Sequence, residues 1–350
     1  MKRISLLFAC MLMLVANLCT AQSGSAKKQT FTNPLLPSGP DPWCIYKDGF
    51  YYYTHTTGHN ITIWKTKSIA TLSTAENKVV WTPPASGPYS KDIWAPEIHY
   101  LEGKWYVYFA ADSGNNTHHR LWVLECASQD PLSGEWNMKG QLATPDNKWA
   151  IDGSVFSINN KHYLIWSGWE GDTNGRQNIY IAAMKNPWTV EGKRTLLSKP
   201  DYAWERNGDL NNPNDVPHID VNEGPEILQH GNKLFLIYSA SACWTDTYAL
   251  GMLSTTIDKN LLDASSWVKS PEPVFKQSLV NKVYAPGHNC FFVSPNGKEN
   301  WILYHANSKP GQGCSGLRSP RAQKFTWKQD GTPDFGVPLP EGQPLEIPAE

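Results

Sequence analysis

Five copies of one short signature, an Asn, Asp or Gly turn followed by an aromatic and aliphatic strand, predict an all-β protein folded as a five-bladed β-propeller. Aligned at Phe50, Lys104, Lys161, Lys233 and Glu299, the copies lie 54, 57, 72 and 66 residues apart. Composition agrees, because 16 Trp, 15 Tyr, 26 Gly and 26 Pro among 350 residues favour strands and tight turns over long helices. No ten-residue stretch after the leader carries a helical period.

Taken in order, the chain opens with Lys2 and Arg3, an apolar run from Ile4 to Leu18, and then Cys19-Thr20-Ala21. This reads as a signal peptide, residues 1–21, cleaved after Ala21; the run is too short for a comfortable membrane span. A lipid anchor on Cys19 is the competing reading, which Leu18 fits poorly. The expectation is therefore an exported protein, secreted or periplasmic, with residues 22–350 forming one propeller domain.

Each unit begins with a short strand, turns on the Asx/Gly signature, returns on the aromatic strand and adds a third. The first strands are expected at Pro42 to Tyr46, Pro96 to Tyr100, Ser154 to Ile158, Pro225 to Leu228 and Asn289 to Val293. The third are expected at Ile61 to Thr66, Leu121 to Cys126, Asn178 to Ala183, Ala249 to Ser254 and Ala322 to Trp327. A unit of three or four strands cannot bury both faces alone, so five of them must pack in a ring.

Charge and motifs exclude several functions. With 31 basic and 32 acidic residues and no run of like charge, nothing here tracks a phosphate backbone. Neither an HExxH zinc motif nor a GxSxG nucleophile elbow occurs. His118-His119 has no partner at metal-ligand spacing and reads as a solvated loop. Five cysteines follow the leader, Cys44, Cys126, Cys243, Cys290 and Cys314; without any CxxC they allow one or two disulfides that the sequence does not pair.

Chemistry concentrates at one position of the repeat, nine to eleven residues before the alignment point. There stand Asp41 in Gly39-Pro40-Asp41-Pro42-Trp43, Asp152 in Ile151-Asp152-Gly153, Glu223 in Asn222-Glu223-Gly224-Pro225 and His288 in Pro286-Gly287-His288-Asn289. Unit two has Trp94-Ala95-Pro96-Glu97, where Glu97 reads as a local hydrogen-bond partner. The first strand of a blade lines the central channel, so these positions converge on one rim. An Asp before Pro or Gly is alone an ordinary turn residue. Three carboxylates at equivalent positions raise one another's pKa, and such a cluster persists mainly where it is used. Glycoside hydrolysis needs this set: an acid for the leaving oxygen and a carboxylate to activate water or attack the sugar.

The ordered series Asn33-Pro34-Leu35-Leu36, Asp41-Pro42, Trp94-Ala95-Pro96-Glu97, Asp152-Gly153-Ser154, Glu223-Gly224-Pro225, Pro286-Gly287-His288-Asn289 and Gln323-Lys324-Phe325 resembles glycoside hydrolase family 43, over nearly all of the mature chain. That family comprises five-bladed propeller arabinanases, α-L-arabinofuranosidases and β-xylosidases. The resemblance implies Asp41 as general base, Asp152 as pKa modulator and Glu223 as general acid, in a single displacement that inverts the anomeric centre. It implies no cofactor for the chemistry, a calcium in the central channel near His288 as an option, held through water, and Arg318 as a contact to the terminal sugar. Trp94 is a candidate stacking platform. Inserts at Asp201 to Asp220 and Asn307 to Pro320 would wall off one side of the channel mouth, which favours release of a terminal sugar. An exo-acting α-L-arabinofuranosidase on plant polysaccharide is the leading expectation. A β-xylosidase, a β-galactofuranosidase, an endo-arabinanase and a non-catalytic glycan-binding propeller are the alternatives.

Overall fold

The computed structural model describes residues 29–173, 175–208 and 220–350; the signal peptide expected at residues 1–21 lies outside them. Five antiparallel four-stranded sheets follow one another along the chain, each in simple sequential order. Blade 1 comprises Trp43–Lys47, Phe50–Thr54, Ile61–Thr66 and Glu76–Trp81. Blade 2 comprises Lys91–Leu101, Lys104–Asp112, Arg120–Cys126 and Asn137–Leu142. Blade 3 comprises Ala150–Ile158, Lys161–Trp169, Gln177–Asn186 and Thr189–Ser198. Blade 4 comprises Asn222–His230, Lys233–Ala240, Ala249–Thr256 and Val268–Lys269. Blade 5 comprises Tyr284–Val293, Asn300–Asn307, Ser319–Trp327 and Pro333–Asp334. The five repeats are the five blades of the propeller. Outermost strands of only two residues in blades 4 and 5 leave little exposed edge for another chain to pair with.

The core is a set of layers between blades. Tyr52 of blade 1 meets Trp105 of blade 2 with ring centroids 4.7 Å apart, and Tyr51 meets Phe292 of blade 5 edge-on at 5.5 Å. Tyr108 of blade 2 donates to the Pro187 carbonyl of blade 3 at 2.7 Å. Full burial of a ring such as Trp105 stabilises by roughly 2–3 kcal/mol, so each interface needs only a few aromatics.

The N-terminal segment closes the ring. Thr30 and Phe31 pair with Glu346 and Leu345, and the Asn33 side chain both donates to and accepts from the Ala322 backbone at 2.9 Å. Leu35 N then bonds Pro320 O, and Gly39 N bonds Arg318 O. This zipper along blade 5 delivers Asp41, two residues on, beside Arg318.

All five innermost strands carry a bulge at the same point. Ile151 pairs with Ser167 and Ser154 with Ile165, leaving Asp152 and Gly153 opposite one residue. The same count leaves Ala95 and Pro96 in blade 2, Gly224 and Pro225 in blade 4, and His288 and Asn289 in blade 5. In blade 1, Thr56 N bonds Pro40 O while Trp43 faces Thr54, so Asp41 and Pro42 are the bulged pair. The first residue of every bulge is left-handed: Asp41 at φ 55°, Ala95 at 43°, Asp152 at 54°, Gly224 at 52° and His288 at 46°. Such a backbone costs a non-glycine residue on the order of 1–3 kcal/mol and re-aims its side chain. Three of the five second residues are Pro, tolerated because a bulged residue needs no ladder N–H. Pairing resumes beyond the bulge, so the innermost strands start earlier than the sequence suggests, at Lys91 in blade 2 and Tyr284 in blade 5.

Candidate active site

The bulges aim Asp41, Asp152 and His288 at one mouth of the channel, and Glu223 joins them from the position just before its bulge. Gly224 takes the left-handed place in that blade, where a Cβ would stand 3.1 Å from His288 Nδ1. The four line a cavity of about 420 Å³ together with Thr56, Trp94, Trp149, Trp244, Gln177 and Arg318, among others. That volume lies in the range of small-ligand sites.

Asp41 is gripped on both oxygens. Arg318 Nη1 donates to Oδ1 at 2.9 Å and the Thr56 hydroxyl to Oδ2 at 2.6 Å. His288 Nδ1 lies 3.3 Å and His305 Nδ1 3.5 Å from Oδ1. His305 Nδ1 also accepts from the Asp41 backbone N–H at 3.0 Å, which puts its proton on Nε2. Burial holds both imidazoles below their ordinary pKa. Burial alone would push the Asp41 carboxyl up; Arg318 first, then His288, His305 and Thr56, outweigh it and hold Asp41 well below the usual carboxylate range.

Glu223 has the opposite environment. Its Oε1 accepts from Tyr248 OH at 2.8 Å. Burial, with the Asp41 charge adding, outweighs Tyr248 and Arg318 and leaves Glu223 pushed up to about 7. Asp152 Oδ2 accepts from Gly224 N at 3.0 Å, one residue beyond Glu223. Burial, then Glu223 and Asp41, push Asp152 well up. One carboxylate fixed in its charged form therefore shares a cavity with a second poised to hold a proton near neutral pH. This pairing can deprotonate water on one side and protonate a leaving oxygen on the other.

Arg318, expected at the sugar, lines the cavity and also forms the ion pair with Asp41. Trp94 lines the cavity and stacks on His119, with centroids 4.0 Å apart at 25°. His119 is no solvated loop residue: it is fully buried, with Nδ1 3.2 Å from Asp112 Oδ2 and Nε2 3.2 Å from the Asp92 carbonyl. A strand-turn-strand return across seven residues brings it to Asp112, and that return has no signature in the sequence. Glu97 is the local partner expected, with Oε2 2.9 Å from His99 Nε2. Thr56, Tyr248 and His305 were missed because they stand outside the repeat position. Among the described residues no group of three or more His, Cys, Asp or Glu side chains has the arrangement of a metal site. Cys243 and Cys314 form the one disulfide among the described residues, and Cys44, Cys126 and Cys290 are buried thiols. Of the Asp201 to Asp220 insert, residues 209–219 lie outside the described part.

A propeller whose rim favours the charged form of one carboxyl and the protonated form of another has the groups that carbohydrate-cleaving enzymes use, and comparison places it among them. Glycosyl hydrolases family 43 matches residues 31–333, and the chain belongs to that family. It is 41% identical over 331 residues to the extracellular exo-alpha-(1->5)-L-arabinofuranosidase of Streptomyces avermitilis, covering 92% of this chain and 66% of that protein. The chain thus spans just under two thirds of that relative's length. It is 38% identical over 281 residues to the protein of the same name from Streptomyces chartreusis, covering 79% and 82%. The crystal structure of alpha-L-arabinofuranosidase from Lactobacillus brevis superposes with a TM-score of 0.82 at 37% identity, over 89% of this chain and 98% of that one.

Proposed function

We propose that this protein is an exo-acting, inverting α-L-arabinofuranosidase that releases terminal arabinofuranose from arabinan or arabinoxylan. The observation that carries this reading is that one cavity holds Asp41, paired with Arg318 at 2.9 Å, and the buried Glu223, bonded to Tyr248 at 2.8 Å, an arrangement that favours the charged form of the first and the protonated form of the second. Asp41 removes a proton from water as it attacks the anomeric carbon. Glu223 gives its proton to the departing glycosidic oxygen. Asp152 orients the sugar and modulates the pKa of Glu223, while Trp94 offers a ring face for stacking and Arg318 with His288 line the −1 sugar. Relatives named as exo-acting arabinofuranosidases support the sugar and the mode of cleavage.

The acid and base work needs no cofactor. A calcium ion bound near His288 would be held through water. We further propose that the chain is exported after cleavage at Ala21 and works as one propeller domain. The extracellular names of its relatives support export, and no described helix is long and apolar enough to cross a membrane.

Nitrophenol release from aryl α-L-arabinofuranoside, β-D-xylopyranoside and β-D-galactofuranoside tests the reading, with Asp41→Ala as control. Turnover of the arabinofuranoside alone, abolished in the variant, is the expected result. Preference for either other sugar would replace the proposed substrate. No turnover of any, followed by cleavage of arabinan in mid-chain, would make the enzyme an endo-arabinanase; binding without cleavage would make it a glycan-binding propeller.

A further inference from the structure

Part of the cavity wall is sulfur: Cys243 and Cys314, joined as a disulfide across 71 residues, both line it. Cys243 lies in the 241–248 turn between the second and third strands of blade 4. Cys314 lies in the 308–318 loop at the same place in blade 5. Each of these loops ends on a partner of the reacting carboxyls. The first ends at Tyr248, which donates to Glu223, and the second at Arg318, which donates to Asp41. The link to Arg318 is short, because the carbonyl of Ser315, next to Cys314, accepts from Arg318 Nε at 3.1 Å. A second cross-tie runs parallel, where Gly311 N meets the Asp246 carboxylate at 2.9 and 3.0 Å. Trp244, beside Cys243, donates to the Gly208 carbonyl at 2.6 Å and so ties the same turn to the loop before Glu223.

We propose that the Cys243–Cys314 disulfide is a positioning element of the active site, holding Arg318 on Asp41 and Tyr248 on Glu223 while fixing the cavity wall between them. It rests on the roles proposed above for Asp41 and Glu223. The remaining groups that face these carboxyls belong to the blades: His55 and Thr56 in blade 1, Asp152 in blade 3, and His288 and His305 in blade 5. Opening the bridge should therefore disturb Arg318 and Tyr248 selectively. Each of them lowers the pKa of the carboxyl it touches, so losing them moves both carboxyls upward.

The test compares the oxidised protein, the same protein treated with a dithiol, and a Cys243→Ser/Cys314→Ser variant. The dithiol closes to its own disulfide as the two Sγ atoms take up two electrons and two protons. Cys314 is exposed and reachable, whereas the three free thiols are buried. Two readouts are taken: kcat/KM against pH on an aryl arabinofuranoside, and titration of Asp41 by carbon-13 NMR of labelled aspartate, assigned with Asp41→Asn. Expected for both opened forms is a fall in kcat/KM of ten- to a hundredfold, as about 1 Å of misplacement causes. Both limbs of the profile should move to higher pH, with the Asp41 midpoint up by about one unit or more. A lower melting temperature with both limbs and the Asp41 midpoint unmoved would overturn the proposal and leave a bridge that only constrains the unfolded chain. The carboxyl titration decides this even if no arabinofuranoside is cleaved, an outcome that would count against the proposed function instead.

Discussion

The channel holds buried carboxyls at two levels, and they behave differently. At the rim, Asp41, Asp152 and Glu223 open onto a cavity and share one strong cation, Arg318. Deeper, beyond the bulges, Glu97 and Glu226 face each other without one. Their contacts are His99, which burial holds neutral at about 3, and the Ser154 hydroxyl, 3.0 Å from Glu226 Oε2. Burial pushes both carboxyls well up, and Glu226 raises Glu97 further. Burial and crowding therefore do not by themselves make a reactive pair. What distinguishes the rim is a cation that pins one member in its charged form, which lets a base and an acid exist a short distance apart.

Substitutions can break this contrast, and they rank by what each removes. Asp41→Ala takes away the group that activates water and should lower kcat/KM on the order of 10⁴-fold, measured on aryl and natural glycosides alike. Glu223→Ala should cost about 10²- to 10⁴-fold on substrates with poor leaving groups, which need protonation. On a dinitrophenyl glycoside its effect should nearly vanish, and equal loss on both would remove Glu223 from the acid role. Gly287→Ala acts indirectly: a Cβ there would fall 2.2 Å from a Tyr248 ring carbon and must push that ring off Glu223. Activity should drop roughly tenfold with the alkaline limb moved upward, because Tyr248 normally lowers the Glu223 pKa. Smallest should be Glu97→Gln and Glu226→Gln, each within about threefold of wild-type kcat/KM, since burial already favours the neutral form that an amide mimics.

Much of this arrangement is legible in the sequence. The hairpins announce themselves because an Asx/Gly turn followed by aromatic alternation has few other uses, and the carboxyls stand out because a repeat makes equivalent positions comparable. The bulge shared by all five innermost strands explains that equivalence for Asp41, Asp152 and His288, while Glu223 stands one residue before its bulge; only Pro42, Pro96 and Pro225 hint at the bulge. The outermost strands leave no clear sequence signal: Val268–Lys269 is two residues long, and Glu76–Trp81 is largely exposed and lacks alternation. Tyr248, Thr56 and His305 are set by where loops and strand ends meet in space, and His119 by a return to Asp112. The pairing of Cys243 with Cys314 likewise depends on two loops of neighbouring blades meeting over the cavity. One sequence does not encode such meetings as local pattern.

The division of labour at the rim is tested most directly by the pH dependence of kcat/KM on an arabinofuranoside with a poor leaving group, which needs the acid and reports the free enzyme's groups. Glu223 works protonated, so wild-type activity should fall as pH rises through about 7. Asp41 works ionised and is held low, so the acid limb should lie well below the ordinary carboxylate range. In Glu223→Ala the alkaline limb should disappear while the acid limb stays. An alkaline limb that persists at the same pH in that variant would contradict the assignment of Glu223 as the acid.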